Sequence, residues 1–141
     1  MVRLICRCMG MSSRRIEAFV RENGLADVDS IAERLGAGSG CGSCRPDLEE
    51  ILASVRGAPL PEAIRRANRA RGEAEATRRV ETALFGSIAA RLPANTEIEL
   101  VSVAGLRVEL HVAQGDSPEL RALVSERLCK LVCEELEVAF A

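Results

Sequence analysis

Residues 36–46 read Gly36-Ala37-Gly38-Ser39-Gly40-Cys41-Gly42-Ser43-Cys44-Arg45-Pro46, and residues 9–40 separate this cysteine pair from an earlier one, Cys6-Arg7-Cys8. Two close pairs separated by a helical stretch can bring four thiolates to one point. Thiolates suit iron–sulfur clusters or zinc far better than magnesium or calcium, whose ligands are oxygen atoms. The residues alone therefore predict a metal centre, leave its metal open, and give four candidate ligands: Cys6, Cys8, Cys41 and Cys44.

A redox-active disulfide is the alternative for each close pair. The C-x-C spacing of the first pair is strained as a disulfide, and four sulfur atoms act together only on a metal. The glycines around Cys41 give a further reason, because backbone without side chains can wrap an inorganic core. These features favour a metal centre over disulfide exchange.

The first part of the sequence predicts three short helices. Ser12 and Ser13 are N-cap candidates for the first helix, and Asn23-Gly24 ends it. A second helix is expected near Asp27 or Asp29, and Pro46 suits the first turn of a third. We therefore expect a small all-helical domain at residues 1–57, with thiols on its leading arm and at a helix start. A unit of about 55 residues has a marginal core, and a bound metal would stabilise it.

The rest of the chain predicts a linker and a second domain. The Arg-rich residues 58–75 begin with a break at Pro59 and Pro61 and carry few large apolar groups, which indicates a polar, weakly helical linker. Residues 76–141 then give an amphipathic helix, two strands, a helix that starts at Ser117-Pro118, and a short final strand. This order, helix-strand-strand-helix-strand, predicts a small α+β domain and places the whole chain in the α+β class.

Charge and hydropathy narrow the class of protein. The net charge is −2, which argues against a nucleic-acid-binding protein because such proteins need an excess of basic residues. Residues 61–80 are basic, with six arginines against three glutamates, and a solvated helix face or linker is the preferred interpretation. No apolar run approaches the roughly 20 residues that span a membrane, and no secretory signal is visible. We therefore expect no membrane association and a cytoplasmic location.

Two further cysteines and the single histidine have weaker signals. Cys129 and Cys133 are four residues apart on the last predicted helix, on the side opposite its leucine stripe, and are best interpreted as small apolar fillers. A two-thiol site shared across a homodimer is the alternative. His111 falls on the charged face of a predicted strand, which indicates a surface residue.

The cysteine motifs and their surroundings resemble a known family. The segments Ile5-Cys6-Arg7-Cys8-Met9-Gly10, Val20-Arg21-Glu22-Asn23-Gly24-Leu25 and Gly40-Cys41-Gly42-Ser43-Cys44-Arg45-Pro46 are similar to the 2Fe-2S domain of bacterioferritin-associated ferredoxins and of NifU proteins. The resemblance covers about residues 3–56. It implies one 2Fe-2S cluster held by Cys6, Cys8, Cys41 and Cys44.

Residues 76–141 more weakly resemble the C-terminal domain of NifU. That family carries a C-x2-C pair in the loop before its last helix, where this chain has residues 112–118 without cysteine. The cluster-transfer role of that domain therefore does not carry over. A docking or dimerisation role is expected instead.

The resemblance implies an electron-transfer or assembly-accessory protein of iron–sulfur cluster biogenesis, linked to nitrogenase maturation. The expected partner is an assembly scaffold or a nitrogenase-maturation protein. One alternative is a ferredoxin that reduces bacterioferritin for iron release, and another is a zinc-stabilised interaction module without redox activity. No set of catalytic acid, base and nucleophile is visible, so the chain is not expected to be an enzyme. Arg7 and Arg45 adjoin the cysteines and are candidates for stabilising a reduced cluster.

Overall fold

The computed structural model describes residues 2–141 and confirms the α+β class, with five α-helices and two sheets. The hydrophobic residues divide into two clusters. One lies among the first three helices, and the other lies between the long helix, the second sheet and the last helix. No helix within the described residues is long and apolar enough to cross a membrane.

The N-terminal part contains a short hairpin as well as helices, so the expected all-helical domain is corrected. Strand β1 (Leu4–Cys6) pairs antiparallel with β2 (Met11–Ser12). The turn of this hairpin, residues 7–10, contains Cys8. The predicted leading arm is therefore the first strand of a hairpin, which fixes the first cysteine pair against the helices.

Helices α1 (Ser13–Asn23), α2 (Val28–Leu35) and α3 (Arg45–Val55) follow the hairpin, close to their predicted positions. Ser12 caps α1 by accepting a hydrogen bond from the backbone N–H of Arg15, and Asp27 caps α2 in the same way. The buried face of the three helices is aliphatic and includes Ile16, Val20, Ile31, Leu48 and Ile51. This core positions the loop of residues 36–44, which carries the second cysteine pair.

The stretch predicted as a weakly helical linker is a regular helix. Helix α4 spans Glu62–Glu81 and continues without a break into a π-helical segment, Thr82–Ile88. Its buried residues include Asn68, Gly72, Ala76 and Val80. Small residues at this spacing let α4 lie close to other elements, and Val80 is the first large apolar residue that α4 buries, since Ile64 is exposed. A pattern of large apolar residues therefore could not reveal the first half of this helix.

The C-terminal part is a three-stranded sheet with one helix. Strands β3 (Glu97–Ala104) and β4 (Arg107–Gln114) form an antiparallel hairpin. Helix α5 (Pro118–Leu131) then returns the chain so that β5 (Glu137–Phe140) pairs parallel with β4, which is the central strand. The sheet packs its buried side, including Val108 and Leu110, against α5 and the end of α4.

The two parts of the chain share buried residues. Leu4 of β1 is 4% exposed and belongs to the C-terminal hydrophobic cluster, whereas its neighbour Ile5 is 1% exposed and belongs to the N-terminal cluster. Successive side chains of a strand point to opposite faces, so β1 supplies one residue to each core. The hairpin consequently packs against both parts of the chain and connects them.

Candidate metal centre

The four candidate thiols lie in two contacting pairs. The Sγ atoms of Cys8 and Cys41 are 3.4 Å apart, and both residues are exposed. Cys6 and Cys44 shift each other's pKa, which places their thiols side by side, and both are buried, with 3% and 4% of their surface exposed. Each pair takes one cysteine from each sequence motif. The two motifs therefore meet in two thiol pairs, of which one is buried and the other lies at the surface.

The environment favours the thiolate form of one thiol in each pair, Cys6 and Cys41. A hydrogen bond from Cys44 lowers the pKa of Cys6 to about 6, and backbone hydrogen bonds from Met9 and Gly38 add to this effect. The same pairing, together with burial, raises the pKa of Cys44. At the surface, a hydrogen bond from the Ser43 hydroxyl lowers the pKa of Cys41. Thiolates are the form that binds metals.

The glycine-rich loop has a conformation that its sequence explains. Gly38 has φ +84°, and a Cβ built there would lie 2.9 Å from Leu48 Cδ1, so the backbone both turns in the left-handed region and lies against α3. From this position the Gly38 backbone helps to lower the pKa of Cys6 and opposes the rise in the pKa of Cys44. The loop ends at Cys44, the N-cap residue of α3, where the positive end of the helix dipole favours an anionic group.

The donor set and its pairing fit a two-iron cluster. Within residues 2–141, no three or more Cys, His, Asp or Glu side chains meet at the position of one metal ion. A 2Fe-2S cluster instead takes two thiolates on each of two irons. Two thiolates on one tetrahedral metal are about 3.8 Å apart when the metal–sulfur bonds are ~2.3 Å. The 3.4 Å separation of Cys8 and Cys41 is close to that value.

A buried carboxylate organises the charges behind the second pair. Asp47, in the first turn of α3, is fully buried, and Arg71 of α4 donates a hydrogen bond of 2.8 Å to its Oδ2 atom. Arg3 and Arg7 lie 3.7 and 3.8 Å from the same carboxylate. Burial raises the pKa of Asp47, and the neighbouring arginines oppose that rise. One carboxylate thus holds together side chains from the residue before β1, from the Cys6–Cys8 motif and from α4.

Helix α4 also touches the cysteine loop directly. Arg71 donates a hydrogen bond to the backbone carbonyl of Ser43, between the two cysteines of the second motif. Asn68 donates to the Pro46 carbonyl at 3.3 Å, and Glu75 forms an ion pair with Arg7. The basic stretch is therefore not simply a solvated face or linker, because part of it packs against the thiol site.

The two arginines selected beside the cysteines have different roles. Arg7 is 6% exposed, and its charge is balanced by Asp47 and Glu75, although it still lies close enough to lower the pKa of the thiols electrostatically. Arg45 forms an ion pair with Asp29 and donates to the Gly38 carbonyl at 3.4 Å. Arg45 thus braces the glycine loop from outside.

Cys129 and Cys133 belong to the C-terminal hydrophobic cluster, and Cys133 lies beside Gly10 of the hairpin turn. Cys133 is 3% exposed, and Cys129 packs against the same C-terminal core, so the expected position opposite the core side is wrong. Helix α5 ends at Leu131, before Cys133, and this end turns the chain inward. Burial raises the pKa of both thiols, as is usual for small apolar fillers. His111 is exposed on β4.

Arg71, Asp47 and Asn68 are site residues that sequence reasoning missed. The available signal was the position of Asp47 in a helix's first turn, three residues after a candidate ligand, within an otherwise apolar stripe. The partners on α4 gave no such signal, because Arg71 is one of six arginines in residues 61–80. Only the packing of α4 on α3 distinguishes it from the others.

Residues 4–54 match the family model of the BFD-like 2Fe-2S binding domain. Over that region the chain is 46% identical across 52 residues to the nitrogen fixation protein NifU of Leptolyngbya boryana, a match covering 37% of this chain and 25% of that protein. It is 36% identical across 53 residues to NifU of Nostoc sp., covering 38% of this chain and 18% of that protein. It is also 39% identical across 54 residues to the NAD(P)H nitrite reductase of Bacillus subtilis, covering 38% of this chain and 7% of that enzyme.

The chain thus spans a quarter or less of the length of these relatives. No solved structure matches it. These findings confirm the resemblance given for the cysteine motifs, and they show that residues 4–54 are a 2Fe-2S binding domain with an iron–sulfur role.

Proposed function

We propose that this chain, whose residues 4–54 are a BFD-like 2Fe-2S binding domain, is a one-electron carrier of iron–sulfur cluster biogenesis rather than an enzyme. In this proposal a 2Fe-2S cluster is held by four cysteines: Cys6, Cys8, Cys41 and Cys44. When bound, such a cluster supplies reversible one-electron transfer. The observation that carries the proposal is the pairing of the thiols, with one pair buried and one pair at the surface.

In this proposal, one pair of cysteines holds the cluster inside the domain, and the other pair exposes it to a partner. Cys6 and Cys44 lie in the aliphatic N-terminal core, where Ile5 and Leu48 exclude water. Cys8 and Cys41 leave the other side open to a partner. Asp47 and Arg71 hold the loop between Cys41 and Cys44, so that neither pair needs to move during electron transfer.

The link to nitrogenase maturation is supported by the NifU relatives, which share the cysteine domain with this chain. We therefore propose an assembly scaffold or a nitrogenase-maturation protein as the partner. The C-terminal part, residues 76–141, would serve for docking or as a homodimer surface. A cytoplasmic location and the absence of nucleic-acid partners are part of the same proposal.

The first test is metal and sulfide analysis of protein purified without air. We expect two irons and two sulfides per chain, a red-brown colour, and loss of both on Cys41→Ser or Cys44→Ser. Cys129→Ser is the matched control and should keep the full spectrum, because that thiol lies in the other core. A colourless protein that holds one zinc would establish the interaction module instead.

A second test separates the two iron–sulfur roles. The reduced protein is supplied either to an assembly scaffold loaded with iron and a sulfur source, or to iron-loaded bacterioferritin. Faster cluster formation on the scaffold supports the proposal. Iron release from bacterioferritin without any effect on the scaffold would establish the bacterioferritin-reducing ferredoxin.

A further inference from the structure

A groove of about 360 Å³ opens beside the exposed thiol pair. One wall comes from the cysteine motifs and the other from α4 and the start of the π-helical segment. The groove therefore exists only because α4 lies against the cysteine domain. Its lining residues are Arg7, Cys8, Cys41, Ser43, Glu75, Arg78, Arg79 and Thr82.

Apart from the negative charge of the thiolates and of the centre they would hold, the charged side chains that line this groove are mainly positive. Glu75 is its only acidic lining residue, and it is engaged by Arg7 and lies 3.8 Å from Arg71. Arg78 and Arg79 are exposed, and within residues 2–141 the ion pairs of α4 involve other side chains. Arg78 follows Glu75 by three residues, so both lie on the side of α4 that faces the thiols. Two free guanidinium groups thus border Cys8 and Cys41.

The basic side chains of this groove contrast with the net negative charge of the protein. The whole protein carries −2, and residues 81–141 carry five basic and ten acidic side chains. A group of basic side chains beside the exposed thiols of an acidic protein would selectively attract negatively charged protein surfaces. Complementary charge steers encounter and orients the partner more than it adds affinity.

The exposure of only one thiol pair indicates the side of the domain from which an electron would leave. Cys6 and Cys44 are covered by the N-terminal core, whereas Cys8 and Cys41 line the groove. A partner seated in the groove would therefore be separated from the centre by little more than the cysteine side chains.

We propose that this groove is the docking surface for the acidic face of a one-electron carrier protein, with Arg78 and Arg79 as its selective residues. The proposal rests on the proposed function. One electron passes from the reduced centre to the carrier, the centre is oxidised and the carrier reduced, and no bond or proton changes place.

The test measures electron transfer from the reduced full-length holoprotein to two protein probes of opposite charge. Acidic plastocyanin and basic cytochrome c both accept one electron and can be followed optically by stopped flow without air. At low ionic strength we expect the double variant Arg78→Glu/Arg79→Glu to slow the reduction of plastocyanin by about tenfold or more and to accelerate that of cytochrome c. For each probe, added salt should bring the rates of the wild-type protein and the double variant closer to each other.

The control is Arg69→Glu. Arg69 is also exposed, lies on α4, and differs from Arg78 by nine residues, which places it on the opposite side of the helix. Like Arg78→Glu alone, it changes the net charge by two, which is half the change made by the double variant, and it does not alter the groove. We expect less than a twofold effect on either probe. Iron content and the visible spectrum of each variant verify that the centre is intact.

Equal effects of Arg69→Glu and Arg78→Glu, which change the net charge by the same amount, would overturn the proposal, because the result would then reflect net charge alone. So would self-association of the protein that the double variant abolishes, since the occupant would be a second copy. Wild-type protein that holds a reducible centre yet transfers electrons to plastocyanin with no dependence on salt overturns only the docking surface. Protein without reducible iron overturns the proposed function, and the docking surface with it.

Discussion

Arg71 of α4 donates a hydrogen bond of 2.8 Å to the buried carboxylate of Asp47 in α3, and it also bonds the Ser43 carbonyl in the cysteine loop. A residue outside the matched 2Fe-2S domain therefore holds the loop that carries two of its thiols. The C-terminal extension is part of the site's support, because its first helix completes the charge balance around Asp47.

Arg71→Gln should lower the free energy of unfolding by about 1–3 kcal/mol, because it removes charged hydrogen bonds from a buried carboxylate. It should also speed the loss of the visible spectrum when the holoprotein is exposed to air. Chemical denaturation and timed absorbance measure the two effects. The control is Arg66→Gln, whose side chain is 76% exposed and pairs only with Glu62, and it should change stability by less than about 0.5 kcal/mol. Equal behaviour of the two variants would contradict the supporting role.

Leu4→Ala should destabilise both parts of the molecule. Leu4 fills the C-terminal core from a strand that otherwise belongs to the cysteine domain, so its truncation should cost about 2–5 kcal/mol. Unfolding followed by the visible spectrum, which reports on the cysteine domain, and by far-UV circular dichroism should shift together. Leu123→Ala, at a residue 37% exposed, is the control and should have a small effect. An unchanged transition in the visible spectrum of Leu4→Ala would show that the two parts unfold independently.

Gly10→Ala should be severely destabilising. Gly10 has φ +65°, and a Cβ there would lie 2.5 Å from the Val132 carbonyl oxygen, at the junction between the hairpin and the end of α5. Gly24→Ala provides a matched control, because Gly24 has φ +60° with nothing within 4 Å of its Cβ position. That variant should cost only about 1 kcal/mol of backbone strain. Thermal melts that give equal losses for the two would mean that the junction can open at little cost.

Alkaline pH should destabilise the holoprotein through its buried free thiols. Burial raises the pKa of Cys133 and Cys129 above the ordinary 9.0, so the folded chain holds these protons more tightly than the unfolded chain. Their contribution to stability is complete below pH 9.0 and is lost as the pH rises through the raised folded values. The chain has no tyrosine, and Lys130 is its single lysine, so few other groups titrate in this range. Melting temperatures from pH 8 to 11 should fall less steeply for Cys133→Ala than for wild type; parallel curves would contradict the assignment.

The sequence by itself determined the ligand candidates, the first three helices and the α+β class, because these depend on local signals. Cap residues and glycines set the helix ends at Ser12, Gly24 and Asp27, and cysteine spacing marks a thiol site whatever surrounds it. The strands after Pro93 could likewise be predicted from their alternation of apolar and polar residues. Each of these signals lies within a few residues of what it predicts.

The tertiary structure alone decided how the thiols pair, which pair is exposed, and that α4 belongs to the site. Arg71 and Asp47 are distant in sequence, and either one alone looks like an ordinary charged residue. The alternation of Leu4 and Ile5 between two cores likewise has no local signature, because both are simply apolar. Long-range burial and charge pairing are properties of packed surfaces, and they appear only when the elements meet.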